Sequence, residues 1–488
     1  MTTRRTFLTQ VLATAVVATP VLAACSASSD DSGSGDGHVK SATAITQVYG
    51  EGQKFIAVAV EYDTAIDTAA LSKSSFEVAG RTVTKVYANT TATLADQGRD
   101  GKYVVVELSP DDESALLWTE GGNPGGAGSP GGTGKAGGSP APSSASASSS
   151  ASASSSGSPA PAASGSANVI PGPSVGATAG PADIKKASGT VTQSGAVRTT
   201  GGDTYAATAT KTTTTKTVNL IVDDFEQFTY KDPKTGETLP YNLYTPKNYD
   251  KSKSYPLVLF MHDAGVVSTT VKATLVQGLG AVVWASPADQ AEREAFVLAP
   301  QYPSVVVGDD YKPTALFDTT ADLVRSLTTK YSIDTDRLYA TGQSMGAMMT
   351  LGLNIKYPDL FAASWVVAGQ WPAAQAAPLA KKNLWITVSQ GDTKAYPGEN
   401  EITAVIEKAG TKVSRAVWNG RSTAATFATD VKTMESKNTT VNYSTLLKGT
   451  TLTAAQAAAQ PNAVEHNSTW PIAYTIEGVR EWIFEQRK

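Results

Sequence analysis

The sequence of 488 residues is poor in the side chains that most often carry special chemistry. It has one cysteine and three histidines, so no disulfide can form within the chain and few bases are available. No cluster of His, Cys and carboxylate residues has metal-ligand spacing, and neither a P-loop nor a GxGxxG fingerprint is present. We therefore expect neither a metal ion nor a cofactor.

Charge is also sparse. Charged residues make up 17% of the chain, the formal net charge is -4, and no basic patch stands out. Proteins that bind nucleic acid or anionic membrane surfaces usually concentrate lysine and arginine on one face or in one segment. The composition therefore argues against nucleic acid and against electrostatic membrane binding.

The first 24 residues have the pattern of an export signal. Arg4 and Arg5 resemble a twin-arginine motif, and the apolar stretch 11–24 ends in a lipobox-like Leu-Ala-Ala-Cys with Cys25 as its last residue. Two interpretations stay open: a plain cleaved signal beside an incidental cysteine, and lipidation of Cys25 as the first mature residue. We favour the second, which predicts a cell-envelope lipoprotein held to the membrane only through Cys25, with residues 25–40 as a flexible tether. The first predicts a secreted protein.

Residues 41–222 are predicted to form a small β-sandwich around a disordered insert. Short runs rich in Val, Tyr, Phe and Ile alternate with turn residues; they cover 54–62, 76–78, 82–87 and 102–108. Residues 121–181 consist mostly of Gly, Ser, Ala and Pro and cannot bury enough apolar surface to order. Residues 190–222 complete the same sandwich or form a separate β-segment; we favour the first alternative.

Residues 223–488 have the pattern of an α/β domain. Near-continuous apolar strands alternate with helices, which predicts a mostly parallel sheet covered on both faces. The predicted strands are 255–262, 295–299, 337–341, 363–368, 384–389 and 441–448, and the predicted helices are 275–280, 319–331, 347–357, 399–409 and 474–486.

One short motif in this domain predicts a reactive serine. Ser344 lies at the centre of Gly-Gln-Ser-Met-Gly, after a strand-like run and before a helix-like run. Such a strand–turn–helix context forms a nucleophile elbow, in which small flanking residues allow a tight turn that exposes the serine hydroxyl. A serine hydroxyl needs a base to remove its proton at neutral pH.

The histidines leave one good candidate for that base. In folds with this elbow the chain order is Ser, acid, His, which selects His466 in a polar loop before the last helix. His38 falls in the predicted tether. His262 ends an apolar strand and is better interpreted as a structural residue that orders the loop beside Ser344. The alternative is that His466 is a surface histidine without a catalytic role.

The best candidate for the acid is Asp392, which follows the apolar strand 384–389 in a glycine turn. It would hold the imidazole in the required tautomer and stabilise the imidazolium. Glu399, Glu401 and Glu465 are alternatives, and Asp392 could instead be only a turn former.

The oxyanion of the tetrahedral intermediate needs two backbone donors. The amide of Met345, directly after the serine, is one, and the loop after His262 suggests the amide of Ala264 as the other. Trp371 follows the next strand and either lines the substrate pocket or belongs to ordinary packing.

The stretches 255–265, 295–302, 331–350, 357–363, 465–474 and 481–486 together resemble a known family. They are similar to the α/β-hydrolase superfamily, in the bacterial branch of predicted peptidases and feruloyl- or polyhydroxybutyrate-depolymerase-like esterases. The resemblance implies an α/β-hydrolase fold, with Ser344 as nucleophile, Asp392 as acid and His466 as base. It also implies that the preceding β-domain is immunoglobulin-like. Two departures concern the site: Asp263 replaces a usual glycine, and Asp392-Thr393 replaces a usual pair of aspartates.

From these observations we expect an exported serine carboxylesterase that acts on esters, including polymer-linked ones such as acylated polysaccharide or polyester. A serine peptidase on the same scaffold is the main alternative, since a fold does not fix its substrate. A non-catalytic binding module with a hydrolase-like shell is the third. The sequence does not indicate an oligomeric state.

Overall fold

The computed structural model describes residues 37–119, 183–459 and 464–488. The N-terminal strands are β1 (Val39–Tyr49), β2 (Gly52–Ile66), β3 (Phe76–Val78), β4 (Val83–Asn89), β5 (Gly101–Leu108), β6 (Trp118–Thr119), β7 (Asp183–Ile184), β8 (Thr190–Gln193), β9 (Val197–Arg198), β10 (Thr204–Tyr205), β11 (Lys211–Thr213) and β12 (Lys216–Asn219). Alternating branched and aromatic side chains along these runs favour extended backbone because they pack on a pleated surface.

Eight of these strands form a single sandwich, while β6 pairs only with β7 and β9 only with β10. One sheet has the order β12-β1-β2-β5-β4 and the other the order β11-β8-β3. Strands that follow the predicted insert pair with strands that precede it, β12 parallel to β1 and β8 antiparallel to β3. Of the two alternatives for 190–222, the structure therefore has the one in which this segment completes the sandwich. The predicted disorder of 121–181 concerns residues outside the described ranges.

The predicted boundary between the tether, residues 25–40, and the sandwich lies too late in the sequence. Strand β1 already begins at Val39, and His38 is held in place: its Nδ1 lies 3.1 Å from a carboxylate oxygen of Asp63. The His38 ring also stacks on Tyr205, with ring centroids 3.7 Å apart. The expectation that His38 belongs to a free tether was wrong, because its partners come from distant parts of the chain.

The C-terminal strands form one nine-stranded sheet. They are β13 (Glu226–Lys231), β14 (Thr238–Tyr244), β15 (Tyr255–Met261), β16 (Phe296–Pro300), β17 (Ile333–Gln343), β18 (Ala363–Val367), β19 (Asn383–Ser389), β20 (Val413–Trp418) and β21 (Val441–Leu446), in the order β13-β14-β16-β15-β17-β18-β19-β21-β20. Pairing is antiparallel only for β13 with β14 and β14 with β16; the pairs from β15 to β20 are parallel. The mostly parallel sheet is confirmed.

Helices cover both faces of this sheet. They are α1 (Ala273–Val276), α2 (Leu279–Val282), α3 (Pro287–Glu292), α4 (Ala315–Lys330), α5 (Met345–Lys356), α6 (Ala395–Lys408), α7 (Ala424–Glu435), α8 (Ala454–Ala459), α9 (Trp470–Ala473) and α10 (Glu477–Glu485). Gly278 separates α1 from α2, where a single helix was expected. Helix α6 begins four residues earlier than expected. Pro397 lies in its first turn, where a missing N–H costs no hydrogen bond, so it does not block the helix.

Several elements of this domain were not predicted: β13, β14, β20, α3, α7, α8 and α9. Strand β20 is the edge of the sheet, and its Arg415 and Val417 side chains are exposed, so it lacks the continuous apolar pattern of the central strands. Helix α7 buries only Phe427, Val431 and Met434. Both segments carry a weak hydrophobic signal because each covers only the periphery of the core.

The sandwich and the α/β domain share apolar contacts. Val48 and Trp118 of the N-terminal strands belong to the same buried cluster as residues of α1, α2 and α10. At the tip of the β1–β2 turn, Gly50 is so close to Pro471 of α9 that a β-carbon would overlap the proline. The sandwich therefore packs against the segment that follows His466. In the described part of the chain, no helix is both long and apolar enough to cross a membrane.

Candidate active site

The candidate residues meet at the carboxyl ends of the parallel strands, the edge at which open α/β sheets usually form their sites. Ser344 directly follows β17, Asp392 lies three residues after the end of β19, and His466 lies in the loop before α9. Since β17, β18 and β19 are adjacent and parallel, their loops emerge side by side. Residues far apart in sequence thereby come into contact.

Ser344 has the backbone of a nucleophile elbow. Its φ of 52° and ψ of −117° lie outside the regions that non-glycine residues favour, and it directly precedes α5. The turn depends on close backbone contacts on both sides. A β-carbon at Gly342 would overlap the backbone of Gly346, and one at Gly346 would overlap the carbonyl of Met261. Both flanking glycines are therefore required sterically.

A continuous chain of hydrogen bonds joins the three candidate side chains. The Ser344 hydroxyl oxygen lies 2.8 Å from His466 Nε2, and His466 Nδ1 lies 2.5 Å from an oxygen of Asp392. With the proton on Nδ1, the ring donates to the carboxylate and Nε2 accepts from the hydroxyl. This is the arrangement in which an imidazole can remove a proton from serine.

The second oxygen of Asp392 is occupied by backbone amides. It accepts hydrogen bonds from the amides of Lys394 and Ala395, at 2.9 and 2.8 Å, at the start of α6. Asp392 is only 2% exposed. Burial alone would raise the pKa of this carboxyl, but His466 and the two amides outweigh it and hold the pKa below its usual range. One aspartate is thus enough to bind His466 where the usual pattern has two. Asp392 also forms the turn of its own loop through the two backbone amides.

The rival carboxylates are engaged elsewhere. Glu399 is buried in α6 and accepts a hydrogen bond from the amide of Gly369 at 3.0 Å. Glu465 binds groups in two other loops. Glu401 is exposed on α6. Of the four candidates, Asp392 is the one that the structure places on His466.

His262 orders the loop that carries Ala264. It is fully buried, which lowers the pKa of its ring and keeps it neutral. Its Nδ1 donates to the carbonyl of Asp263 at 2.7 Å, and its Nε2 accepts from the amide of Tyr302 at 2.9 Å. Because the C=O and N–H of a trans peptide point in opposite directions, this bond turns the N–H of Ala264 away from His262.

Asp263, which replaces the usual glycine, has one hydrogen-bond partner in this loop and one at the elbow. One carboxylate oxygen accepts from the amide of Gly265 at 2.8 Å, and the other accepts from the Gln343 side chain at 2.9 Å. Gln343 immediately precedes Ser344, so this contact ties the Ala264 loop to the elbow. Sequence reasoning missed Gln343; its place inside the Gly-x-Ser-x-Gly motif was the only available signal.

Met345 begins α5, where the amides of the first turn have no acceptor within the helix. Its sulfur accepts from the amide of Val306 at 3.3 Å, and the side chain is fully buried. The helix dipole places partial positive charge at this end of α5. The backbone beside Ser344 therefore suits an anionic oxygen, and Met345 and Ala264 remain the two candidate donors.

Comparisons with known proteins agree with this geometry. Residues 41–206 match a family model described as the esterase Ig-like N-terminal domain, and residues 233–425 match one described as "Putative esterase". The crystal structure of a thermostable esterase matches 92% of this chain and 100% of its own, with a TM-score of 0.68 and 25% identity. The two domains of this chain thus match an esterase Ig-like domain and an esterase domain, and its fold is that of the α/β-hydrolases. The chain is therefore a carboxylic ester hydrolase with an immunoglobulin-like N-terminal domain.

A feruloyl esterase module from Clostridium thermocellum, solved with sinapinate, matches 52% of this esterase and 86% of its own chain. Its identity is 15% and its TM-score 0.35, which is too low to carry an argument. No curated protein matches the sequence.

Trp371 packs inward in the esterase. Its ring is 7% exposed, lies against Gly352 of α5 and contacts Phe317 and Tyr311. Its indole N–H donates to Gln375 at 3.1 Å. These contacts fit ordinary packing behind the site better than pocket lining. The aromatic ring beside the base is Trp470, whose centroid lies 5.2 Å from that of His466.

Two further predictions concern metal binding and lipidation. Within residues 37–119, 183–459 and 464–488, no group of three His, Cys, Asp or Glu side chains could hold a metal ion. Cys25, the expected lipidation site, lies outside the described residues.

Proposed function

We propose that this esterase is a serine carboxylesterase that works through an acyl-enzyme on Ser344. The observation that carries the proposal is the hydrogen-bond chain from the Ser344 hydroxyl through His466 to Asp392. Ser344 itself is largely buried, with 7% of its surface exposed.

The reaction follows from these contacts. His466 Nε2 takes the hydroxyl proton as the serine oxygen bonds to the ester carbonyl carbon, and the oxyanion accepts from the amides of Met345 and Ala264. The ester C–O bond then breaks, and His466 gives its proton to the departing alcohol. A water molecule next gives a proton to His466 as its oxygen attacks the acyl carbon. The bond from this carbon to the serine oxygen then breaks, the acid leaves, and His466 returns its proton to Ser344. Asp392 stabilises the imidazolium in both halves.

Replacing the nucleophile tests the proposal. We expect Ser344→Ala to lower turnover of p-nitrophenyl butyrate by a factor on the order of 10⁴ or more, because the covalent route is lost. Ser252→Ala, at an exposed serine, is the matched control and should keep full turnover. A fluorophosphonate probe should label the native chain and the control but not Ser344→Ala. Unchanged turnover of Ser344→Ala would reject the serine mechanism.

Substrate class needs its own comparison. A peptidase must also protonate an amine leaving group and grip side chains, so we expect the chain to cleave p-nitrophenyl esters far faster than p-nitroanilide peptides. Faster cleavage of the peptides would favour the peptidase alternative.

We further propose that the esterase acts outside the cytoplasm on polymer-linked esters. The signal-like residues 1–24 and the lipobox-like sequence at Cys25 support export and a lipid anchor. Anchoring needs acyl chains on Cys25, so Cys25→Ser should move the protein from the membrane fraction to the soluble fraction. An unchanged distribution would contradict the anchor. Release of acids from acylated polysaccharide or polyester by the native chain tests the polymer proposal.

A further inference from the structure

Glu465, the residue just before the base His466, is a buried carboxylate that the reaction above does not use. It is 2% exposed. One of its oxygens accepts from the amide of Gly449 at 2.6 Å, and the other accepts from the hydroxyls of Ser389 and Thr451, at 2.6 and 2.8 Å. Burying an ionised carboxylate is costly unless it is paired or well hydrogen-bonded, and three donors meet that need.

The donors come from the two segments that surround the base loop. Ser389 is the last residue of β19, the strand that leads to the acid Asp392, and its hydroxyl oxygen also accepts from the amide of Gly391 at 3.0 Å. Gly449 and Thr451 lie in the loop after β21. The carboxylate therefore joins the base loop to the start of the acid loop and to a third loop beside them.

The backbones of the acid and base loops are also in direct contact here. The amide of Glu465 donates to the carbonyl of Gly391 at 3.3 Å. A β-carbon at Gly391 would overlap the carboxyl carbon of Glu465, although the φ of Gly391 is not left-handed. Gly391 is thus required by the nearness of Glu465 rather than by its own backbone conformation.

We propose that Glu465 is a positioning residue that fixes the separation of the acid loop and the base loop, and so the alignment of His466 between Asp392 and Ser344. The inference rests on the proposed serine mechanism. It also explains why two carboxylates adjoin the base: His466 Nδ1 is bound to Asp392, and both oxygens of Glu465 are occupied by loop donors.

The conservative variant Glu465→Gln keeps the shape but turns an acceptor into a donor. Its NH₂ group must face either the Gly449 amide, whose hydrogen bond is then lost, or the two hydroxyls, which must then turn to accept instead of donate. A displacement of about 1 Å in a catalytic group can cost roughly 100-fold. We therefore expect kcat to fall about 100-fold with KM nearly unchanged. Glu226→Gln, at an exposed glutamate of β13, should keep native kcat.

Active-site titration with a fluorophosphonate separates positioning from folding. A merely structural role would lower the titrated fraction while turnover per titrated site, and its pH profile, stayed native. Positioning instead lowers turnover per titrated site and shifts the pH profile, because the imidazole no longer lies correctly between its partners. Native turnover per site in Glu465→Gln would overturn the inference.

A double-mutant cycle tests the contact with Gly391. Gly391→Ala should lower kcat about 100-fold in the native background because the methyl group pushes the two loops apart. In a Glu465→Ala background the space is vacant, so adding Gly391→Ala should cost little more, and the two losses should be strongly non-additive. Additive losses would overturn the inference. If Ser344→Ala is active, the proposed function fails; if only the Glu465 results fail, that function stands.

Discussion

The immunoglobulin-like sandwich and the catalytic edge of the α/β domain both bury polar groups, but they use them differently. In the sandwich, the Tyr62 hydroxyl donates to Gln193 at 2.8 Å and joins a strand before the insert to one after it. At the catalytic edge, Asp392, Asp263 and Glu465 each bind groups in neighbouring loops. Buried polar groups need partners in both places. In the sandwich these hydrogen bonds hold strands together, and at the catalytic edge they orient side chains.

Backbone strain differs in the same way. Within residues 37–119 and 183–222, positive φ occurs at Gly52, Gly80 and Gly202, which adopt it without a steric penalty, and at Ile221, which follows the last strand of the sandwich. At the catalytic edge, Ser344 and Ala368 have φ values of 52° and 51° although both carry side chains. The amide of Ser344 donates to Val367, so these two strained residues lie together. Such strain persists only where the surrounding structure enforces it.

Of the variants that test this difference between the sandwich and the catalytic edge, Asp392→Asn should have the largest effect on activity. The amide can present an N–H to His466 Nδ1 and favour the wrong tautomer, so kcat for p-nitrophenyl butyrate should fall about 10⁴-fold. The melting temperature should change little, because the side chain keeps its shape. A loss below tenfold would show that another group orients the base.

A smaller effect of the opposite kind is expected from Tyr62→Phe. Removing this hydroxyl takes the donor from the buried oxygen of Gln193, which should lower the free energy of unfolding by about 1–3 kcal/mol. Urea unfolding measures the loss, and kcat per titrated site should stay native. A fall in kcat without loss of stability would break the distinction between the two regions.

The smallest effect is expected from Glu399→Gln and depends on pH. Burial raises the pKa of Glu399 well above its ordinary value of 4.5, aided by the nearby charge of Asp392, although the amide of Gly369 opposes the shift. The folded state therefore favours the protonated acid, and wild-type stability falls as pH rises above 4.5. The side chain of the variant cannot ionise, so its melting temperature should rise relative to that of the wild type as the pH increases from 5 to 8. A constant difference across this range would contradict the assignment.

The sequence was sufficient for the candidate triad because chain order and strand ends constrain it strongly. Ser344, Asp392 and His466 each follow a recognisable signal: a motif, a buried strand, or the scarcity of histidine. The supporting contacts were not predictable in this way. Glu465 was considered only as a rival acid, and Gln343 was not considered, because their roles depend on which loops meet in space. Sequence spacing carries no information on such contacts.

The short pair of strands β6 and β7 has a practical consequence. Trp118 lies directly opposite Ile184, so the chain leaves the sandwich and returns to it at the same point. Whatever joins the two ends, the pairing of the flanking strands is already complete, and closure entropy grows only slowly with the length of the connection. This junction is therefore a natural graft point, where a carbohydrate-binding module or a fluorescent reporter can be spliced in without altering the hydrolytic machinery.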